Sequence, residues 1–488
     1  MEKLGITIVG LGPAGANLLT REAWEWLNSI SEVYLRTAFH PCVGELPAGL
    51  EVHSFDDVYE QEESLAAVLA EISQRVLELG RQPEGVTYGV PGSPWVAEET
   101  TLRILAAAKE EGLPVRVING MSFVEPVCAA LGIDPSAKLV LVDALHLADR
   151  HVPSFPPSYG ALISQITAGM ELSEVKLTLM NNYPDEYPVR LVHSAGTDQQ
   201  EVEELPLYAI DHSPKVGLLS TLYIPPWEEN RSFENFQEII ARLRAPDGCP
   251  WDREQTHLSL RPYLLQEAYE VLEALDHEDM MELQEELGDL LLQIVLHAQI
   301  ATEEGDFNMT DVLQSISRKL IRRHPHVFGD VKVESVQDVR DNWQKIKKRE
   351  REGSQQTQDP FGNIPRSLPA LQRAQKITAA ASRCGFDWPD ANGVLDKLKE
   401  ELDELEEART EGDAAKIEEE MGDLFFTLVN LSRFLNVDAE KATDRAVNKF
   451  LGRWLYITRK LAARGRSPED ATPAELDLIW NEAREKGL

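Results

Sequence analysis

Two acidic clusters, each present twice, carry the strongest chemical signal in this sequence. Gln266-Glu267-Ala268-Tyr269-Glu270 and Glu285-Glu286-Leu287-Gly288-Asp289 recur 134 residues later, without a gap, as Glu400-Glu401-Leu402-Asp403-Glu404 and Glu419-Glu420-Met421-Gly422-Asp423. The windows 266–299 and 400–433 share 11 identities in 34 positions, which marks a duplicated unit and not two unrelated acidic surfaces. Within each cluster the acids stand at i and i+3, on one helical face. That face also carries Leu290, Leu291 and Val295, or Leu424, Phe425 and Val429, so the carboxylates are expected to point partly inward. In both copies 14 residues, 271–284 and 405–418, separate the clusters, with turn formers at the centre (Asp276-His277-Glu278-Asp279 and Thr410-Glu411-Gly412-Asp413). Seven residues up and seven back, about 10 Å each way at a 1.5 Å rise, return the second acidic pair to the height of the first.

Four carboxylates then meet across an antiparallel hairpin, and their repulsion calls for a cation. Oxygen ligands without His or Cys select a hard ion, Mg2+ or Mn2+. One expected cage is Glu267, Glu270, Glu286 and Asp289; the other is Glu401, Glu404, Glu420 and Asp423, with Glu400 beside it. Such an ion keeps positions open for water and substrate phosphates and can stabilise both an attacking water and a leaving phosphate oxygen. The chemistry implied is hydrolysis of a phosphate anhydride. A triphosphate also needs cationic clamps, and Lys319 with Arg323, like Lys449 with Arg453, form i, i+4 pairs downstream of each copy.

Helices must hold these groups, and helical periodicity takes over only after residue 228, as in residues 233–243, 260–275, 280–303, 311–323 and from 371 onward. Before it, short β-branched runs at 6–9, 86–90, 115–118, 139–142, 176–180 and 189–193 read as strands alternating with amphipathic stretches at 64–79 and 97–111, the sign of an α/β domain. The boundary falls at Ile224-Pro225-Pro226-Trp227, and the polar run after Gly353 reads as a linker. The expected domains are 1–226, an α/β domain; 227–352, a first all-α repeat; 353–362, a linker; and 363–488, a second all-α repeat.

With 488 residues, the chain is long enough for about three domains. Its 83 acidic against 48 basic side chains give a formal charge of −35, which repels nucleic acid. Four separated cysteines fit reduced thiols, no apolar run approaches a membrane span, and the start MEKLGITIVG reads as a strand without a signal-peptide core, so a cytoplasmic location is expected.

The pattern EExxE, 14 residues, EExxD resembles the MazG family of nucleoside triphosphate pyrophosphohydrolases in its two-repeat form. Cys249-Pro250-Trp251-Asp252 and Arg323-His324-Pro325-His326-Val327-Phe328 belong to the same likeness. The resemblance implies an all-α, four-helix type assembly, usually dimeric, that uses Mg2+ to cleave a nucleoside triphosphate at the α-β linkage to monophosphate and diphosphate. It further implies that Lys397, Lys449, Arg453 and Trp480 hold phosphates and base. Gln266 and Tyr263 stand where the second repeat has Glu400 and Lys397, which favours the second repeat as the main catalytic centre.

At the other end, Ile6-Thr7-Ile8-Val9-Gly10-Leu11-Gly12-Pro13 is a strand running into a glycine turn, which either admits a ligand or simply connects strand to helix. Together with Tyr88-Gly89-Val90-Pro91-Gly92-Ser93-Pro94, Gly120-Met121-Ser122-Phe123 and Leu177-Thr178-Leu179-Met180, it resembles the tetrapyrrole (corrin/porphyrin) methylase family. That likeness implies S-adenosylmethionine held by Gly10, Gly12, Pro13, Gly89, Pro91, Gly92 and Ser122. Pro13-Ala14-Gly15-Ala16 replaces the usual Pro-Gly-Asp-Pro, and Val90 an Asp, departures that count against methyl transfer. Triphosphate hydrolysis, plausibly of non-canonical nucleotides, is therefore the leading expectation. The competing ones are a tetrapyrrole methyltransferase and a ligand-sensing module that regulates the helical half.

Overall fold

The computed structural model describes residues 5–487 apart from 63, 137, 167–169, 228–230, 354–358 and 363, with the backbone alone at 170, 171, 344, 347–349 and 351–353. The heart of the expected linker, 354–358, thus lies outside the described residues. Two compact units divide the chain, Met1–Ser315 and Ile316–Leu488.

In the first unit, β1 (Ile6–Gly10), β2 (Glu32–Leu35), β3 (Glu51–Ser54), β4 (Val86–Val90) and β5 (Val115–Ile118) form a parallel sheet in the order β3-β2-β4-β1-β5. Every residue of β1 and β4 is buried, because helices cover both faces. Ile6, Ile8, Tyr88 and Val90 pack against Ile72 and Val76 of the helix Leu65–Gly80 and Ile104 of the helix Glu99–Glu111. On the opposite face, Val9 and Ile118 meet Ala23 of the helix Arg21–Leu27.

A second sheet, β6 (Leu139–Asp143), β7 (Gly160–Ser164), β8 (Pro188–His193), β9 (Glu201–Pro206) and β10 (Ser220–Ile224), runs in the order β6-β7-β10-β8-β9 and is antiparallel except for β6 with β7. One expected strand is corrected here. Residues 176–180 are not a strand but lie on and just after the helix Met170–Leu179. Leu172, Val175 and Leu179, spaced for one helical face, are buried against Leu191, Leu222 and Ile224. Burial of such side chains stabilises by roughly 1.5–3 kcal/mol each, well above the propensity that Thr178 lends to a strand. At the domain boundary, Trp227 packs against this same core, 5.8 Å from Tyr183 ring to ring.

Past the boundary the described chain is helical. His257–His277 and Met280–Glu304 form the first hairpin, packed through Leu260, Val295, Leu296 and Ile300 onto Ile240 of the helix Phe233–Arg244. Within the second unit, Ala391–Glu411 and Ala414–Phe434 form the second hairpin. Each first helix stops at a residue in left-handed conformation, Glu278 (φ 56°) or Gly412 (φ 74°), and each second helix is capped by an Asp side chain, Asp279 or Asp413, accepting from two backbone N–H groups. The turns fall where the residue types place them.

Candidate functional site

Antiparallel packing of each hairpin brings carboxylates from its two helices together. In the second hairpin, oxygens of Glu401, Glu420 and Asp423 lie within 4.8 Å of one another; in the first, Glu267, Glu270 and Glu286 do. Each set is three of the four acids read from the spacing. Glu404 and Asp289 stand outside the tight groups, although the Glu404 charge acts on Glu420 and the Asp289 charge on Glu267 and Glu286. Desolvation, then the neighbouring carboxylates, pushes the Glu420, Glu267 and Glu286 carboxyls above the usual range. These are groups short of positive charge.

The inward orientation is partial. Glu401 is 5% exposed, and its Oε2 is buried without a hydrogen-bond partner. Glu267, Glu270, Glu286 and Glu420 are half-buried, and Glu404, Asp289 and Asp423 are exposed. Val295 and Val429 are buried, whereas Leu291 and Phe425 stay exposed. Around the second cluster Lys397 Nζ lies 2.8 Å from Glu400, 3.0 Å from Glu401 and 3.9 Å from Glu404. Around the first, Gln266 donates to Glu270 at 3.2 Å, and Tyr263 meets Trp251 edge-on, 6.2 Å between rings.

A hard dication fits this donor set: three carboxylates on rigid helices, one of them a buried, unpartnered oxygen. Downstream, Arg453 on the helix Ala439–Ala462 stands over the Trp480 ring at 5.1 Å, and Phe450 packs on the same indole from 5.1 Å. Lys449 is exposed on that helix, as Lys319 is on the helix Met309–Arg323. Arg323 is paired with Glu350 at 2.7 Å and sits over Trp343 at 5.5 Å. Together with Arg322, it draws the Glu350 carboxyl down to about 2. Glu350 carries no motif signal, so its claim on Arg323 was not legible in the sequence. His324 Nδ1 is 2.7 Å from the Leu320 carbonyl and His324 precedes the short helix Pro325–Phe328, in keeping with a structural role.

In the α/β half, the turns after β1, β4 and β5 converge because those strands are neighbours, at the carboxyl edge of the sheet where ligands of open α/β folds sit. Gly12 and Gly92 exchange backbone hydrogen bonds of 3.1 and 2.7 Å. The freedom attributed to the first glycines is, however, used inside the protein. A Cβ on Gly10 would lie 2.5 Å from Gly120 N, one on Gly12 (φ 70°) would lie 2.6 Å from Leu18 O, and one on Gly89 would lie 2.7 Å from a Leu35 methyl. Of these four turn glycines, Gly92 (φ 69°) has open space, its nearest atom being Met121 O at 4.0 Å. Pro13 is buried, and Pro91 is half-buried beside Gly92. Ser122 is committed locally, its hydroxyl donating to Glu125 and accepting from Val124 N.

One residue without a motif signal ties down the chain just after the turn. Glu45 accepts from Ala16 N at 2.8 Å. Buried His40 sits 3.0 Å from Cys42 Sγ with its Nε2 left without a hydrogen-bond partner, and desolvation pushes its imidazole down to about 4. Gly12→Val is accordingly expected to destabilise the α/β half by about 3 kcal/mol or more, through a strained φ and a backbone clash. Thermal unfolding followed by circular dichroism checks this, and an unchanged first transition would contradict it.

Comparison with known proteins follows the same division. The MazG nucleotide pyrophosphohydrolase domain family matches residues 255–328 and 391–455, and the tetrapyrrole (corrin/porphyrin) methylases match residues 5–211. YabN of Bacillus subtilis (strain 168) is 39% identical over 486 residues, 98% of each chain. The nucleoside triphosphate pyrophosphohydrolase/pyrophosphatase MazG of Thermotoga maritima is 46% identical over 252 residues, covering 52% of this chain and 95% of that protein. Nucleoside triphosphate pyrophosphohydrolase of Escherichia coli (strain K12) is 46% identical over 253 residues, 51% of this chain and 96% of its own.

Proposed function

Because the chain belongs to the MazG nucleotide pyrophosphohydrolase family, with a tetrapyrrole methylase domain ahead of the helical half, we propose that it hydrolyses nucleoside triphosphates to the monophosphate and diphosphate with Mg2+ or Mn2+. The observation that carries this reading is the trio Glu401, Glu420 and Asp423, three carboxylates within 4.8 Å on two helices, with the buried Glu401 Oε2 lacking any partner. These three would hold the ion, with Glu404 at the rim. When bound, such an ion polarises a phosphate and lowers the pKa of a coordinated water.

The remaining work falls to side chains of the same unit. Lys449 and Arg453 would bind the phosphates, and Trp480, which lies 5.1 Å from both Arg453 and the Phe450 ring, would meet the base. Lys319 and Arg323 occupy the corresponding place after the first repeat, where Arg323 is already paired with Glu350. Removal of non-canonical nucleotides is the role that fits an enzyme whose contacts fall chiefly on phosphates and on an aromatic face. Incubation with a panel of nucleoside triphosphates, with and without Mg2+, and chromatography of the products tests it. Metal-independent turnover, or release of orthophosphate in place of diphosphate, would contradict it.

Exposed Phe425, Phe450, Leu451 and Leu455 on the second-unit helices support a homodimer that covers them. No helix among the described residues is long and apolar enough to cross a membrane, in keeping with a cytoplasmic enzyme.

For the α/β half the reading is S-adenosylmethionine binding at the Gly12–Gly92 turn, with methyl transfer to a tetrapyrrole, or ligand sensing, as its alternatives. Calorimetry should show S-adenosylmethionine or S-adenosylhomocysteine binding to the full chain. No heat with either form would remove the cofactor.

A further inference from the structure

We propose that the Lys397 ammonium is a displaceable counter-ion of the second acidic cluster, held by the carboxylates until a divalent cation and a triphosphate enter together, and then handed to the phosphates. This rests on the metal-dependent reading given above. Lys397 stands one turn before the acids on their own helix, with Nζ 2.8 Å from Glu400, 3.0 Å from Glu401 and 3.9 Å from Glu404. It thus occupies one oxygen of Glu401, the buried member of the metal trio, whose Oε2 has no partner.

An ammonium and a dication on one carboxylate repel at close range, strongly so where burial lowers the dielectric. A bare ion must therefore work against Lys397, whereas an ion that brings phosphates brings the negative charge that lets both cations stay. The lysine is suited to the transfer, being a point charge on a flexible stem whose side chain is 32% exposed against 6% for Glu401. The duplication supplies an internal contrast. At the equivalent place the first repeat has the neutral Tyr263, and its Glu270 receives an amide N–H from Gln266. The first cluster should therefore take a bare dication more readily, while the second should take dication and nucleotide cooperatively.

Mn2+ calorimetry on the full chain carrying E267Q and E286Q, so that only the second cluster can bind, tests the proposal. K397Q should raise affinity for bare Mn2+ about tenfold, the scale of losing one charge-assisted contact. A non-hydrolysable triphosphate analogue should tighten Mn2+ binding by a similar factor with Lys397 present and far less in K397Q. In the reciprocal background, E401Q with E420Q, Y263K should weaken Mn2+ binding at the first cluster. Equal Mn2+ affinity with and without Lys397, or an analogue effect that survives K397Q, would overturn the counter-ion role while leaving the metal reading intact. Absence of Mn2+ binding at the second cluster, with or without the analogue, in both the Lys397 and the K397Q chains would remove the metal reading and this proposal with it.

Discussion

Glu401→Gln and Asp423→Asn are each expected to lower diphosphate release by about 100-fold or more, the scale on which a principal electrostatic contributor to catalysis is lost. Both substitutions keep size and shape and delete one charge from the trio of carboxylates. Their structural costs should differ. Glu401 is buried and half-partnered, so Gln there removes an unsatisfied carboxylate oxygen but also costs Lys397 one of its anions. Asp423 is exposed, and its loss should leave the fold unchanged. A similar fall in turnover from two positions of such different burial would point to the shared ion and not to damage of the hairpin. Turnover with Mg2+ and circular dichroism on the same preparations decide the matter, and a folded variant with full activity would reject the assignment.

Unequal repeats lead to the second large effect. Glu404→Gln with Glu420→Gln should abolish hydrolysis, whereas Glu267→Gln with Asp289→Asn should spare most of it. The second cluster keeps both an extra acid, Glu400, and a cation, Lys397, that the first lacks, and the helix after it places Arg453 against Trp480. The first has Gln266 spending a hydrogen bond on Glu270, and the arginine expected to serve it is paired with Glu350. Carboxylates that repel one another without a cation bind metal well, so binding alone is no measure of turnover, and product release must be followed for both double variants. Equal losses would overturn this ranking.

Much of this architecture could be read before any coordinates. The spacing of acids at i and i+3, the 14-residue interval and the residues at its centre determined two helical hairpins with carboxylates at matching heights, because helical rise and turn chemistry are local properties. Alternation of β-branched runs with amphipathic stretches likewise determined an α/β half with glycine turns at strand ends. Where local preference and burial disagreed, the sequence misled: residues 176–180 look like a strand, yet Leu172, Val175 and Leu179 are drawn to one buried helical face. Tertiary structure alone decided which three of four acids converge, Glu404 standing outside the second trio and Asp289 outside the first, because the meeting depends on how two helices pack and not on spacing along either one. It alone assigned Lys397 to the carboxylates and Arg323 to Glu350, because long charged side chains reach partners that no linear spacing specifies. The space beside Gly10 and Gly12 was settled in the same way. It is filled by the backbones at Gly120 and Leu18, and close packing between segments a hundred residues apart, as Gly10 and Gly120 are, is a property of the folded chain and not of either segment.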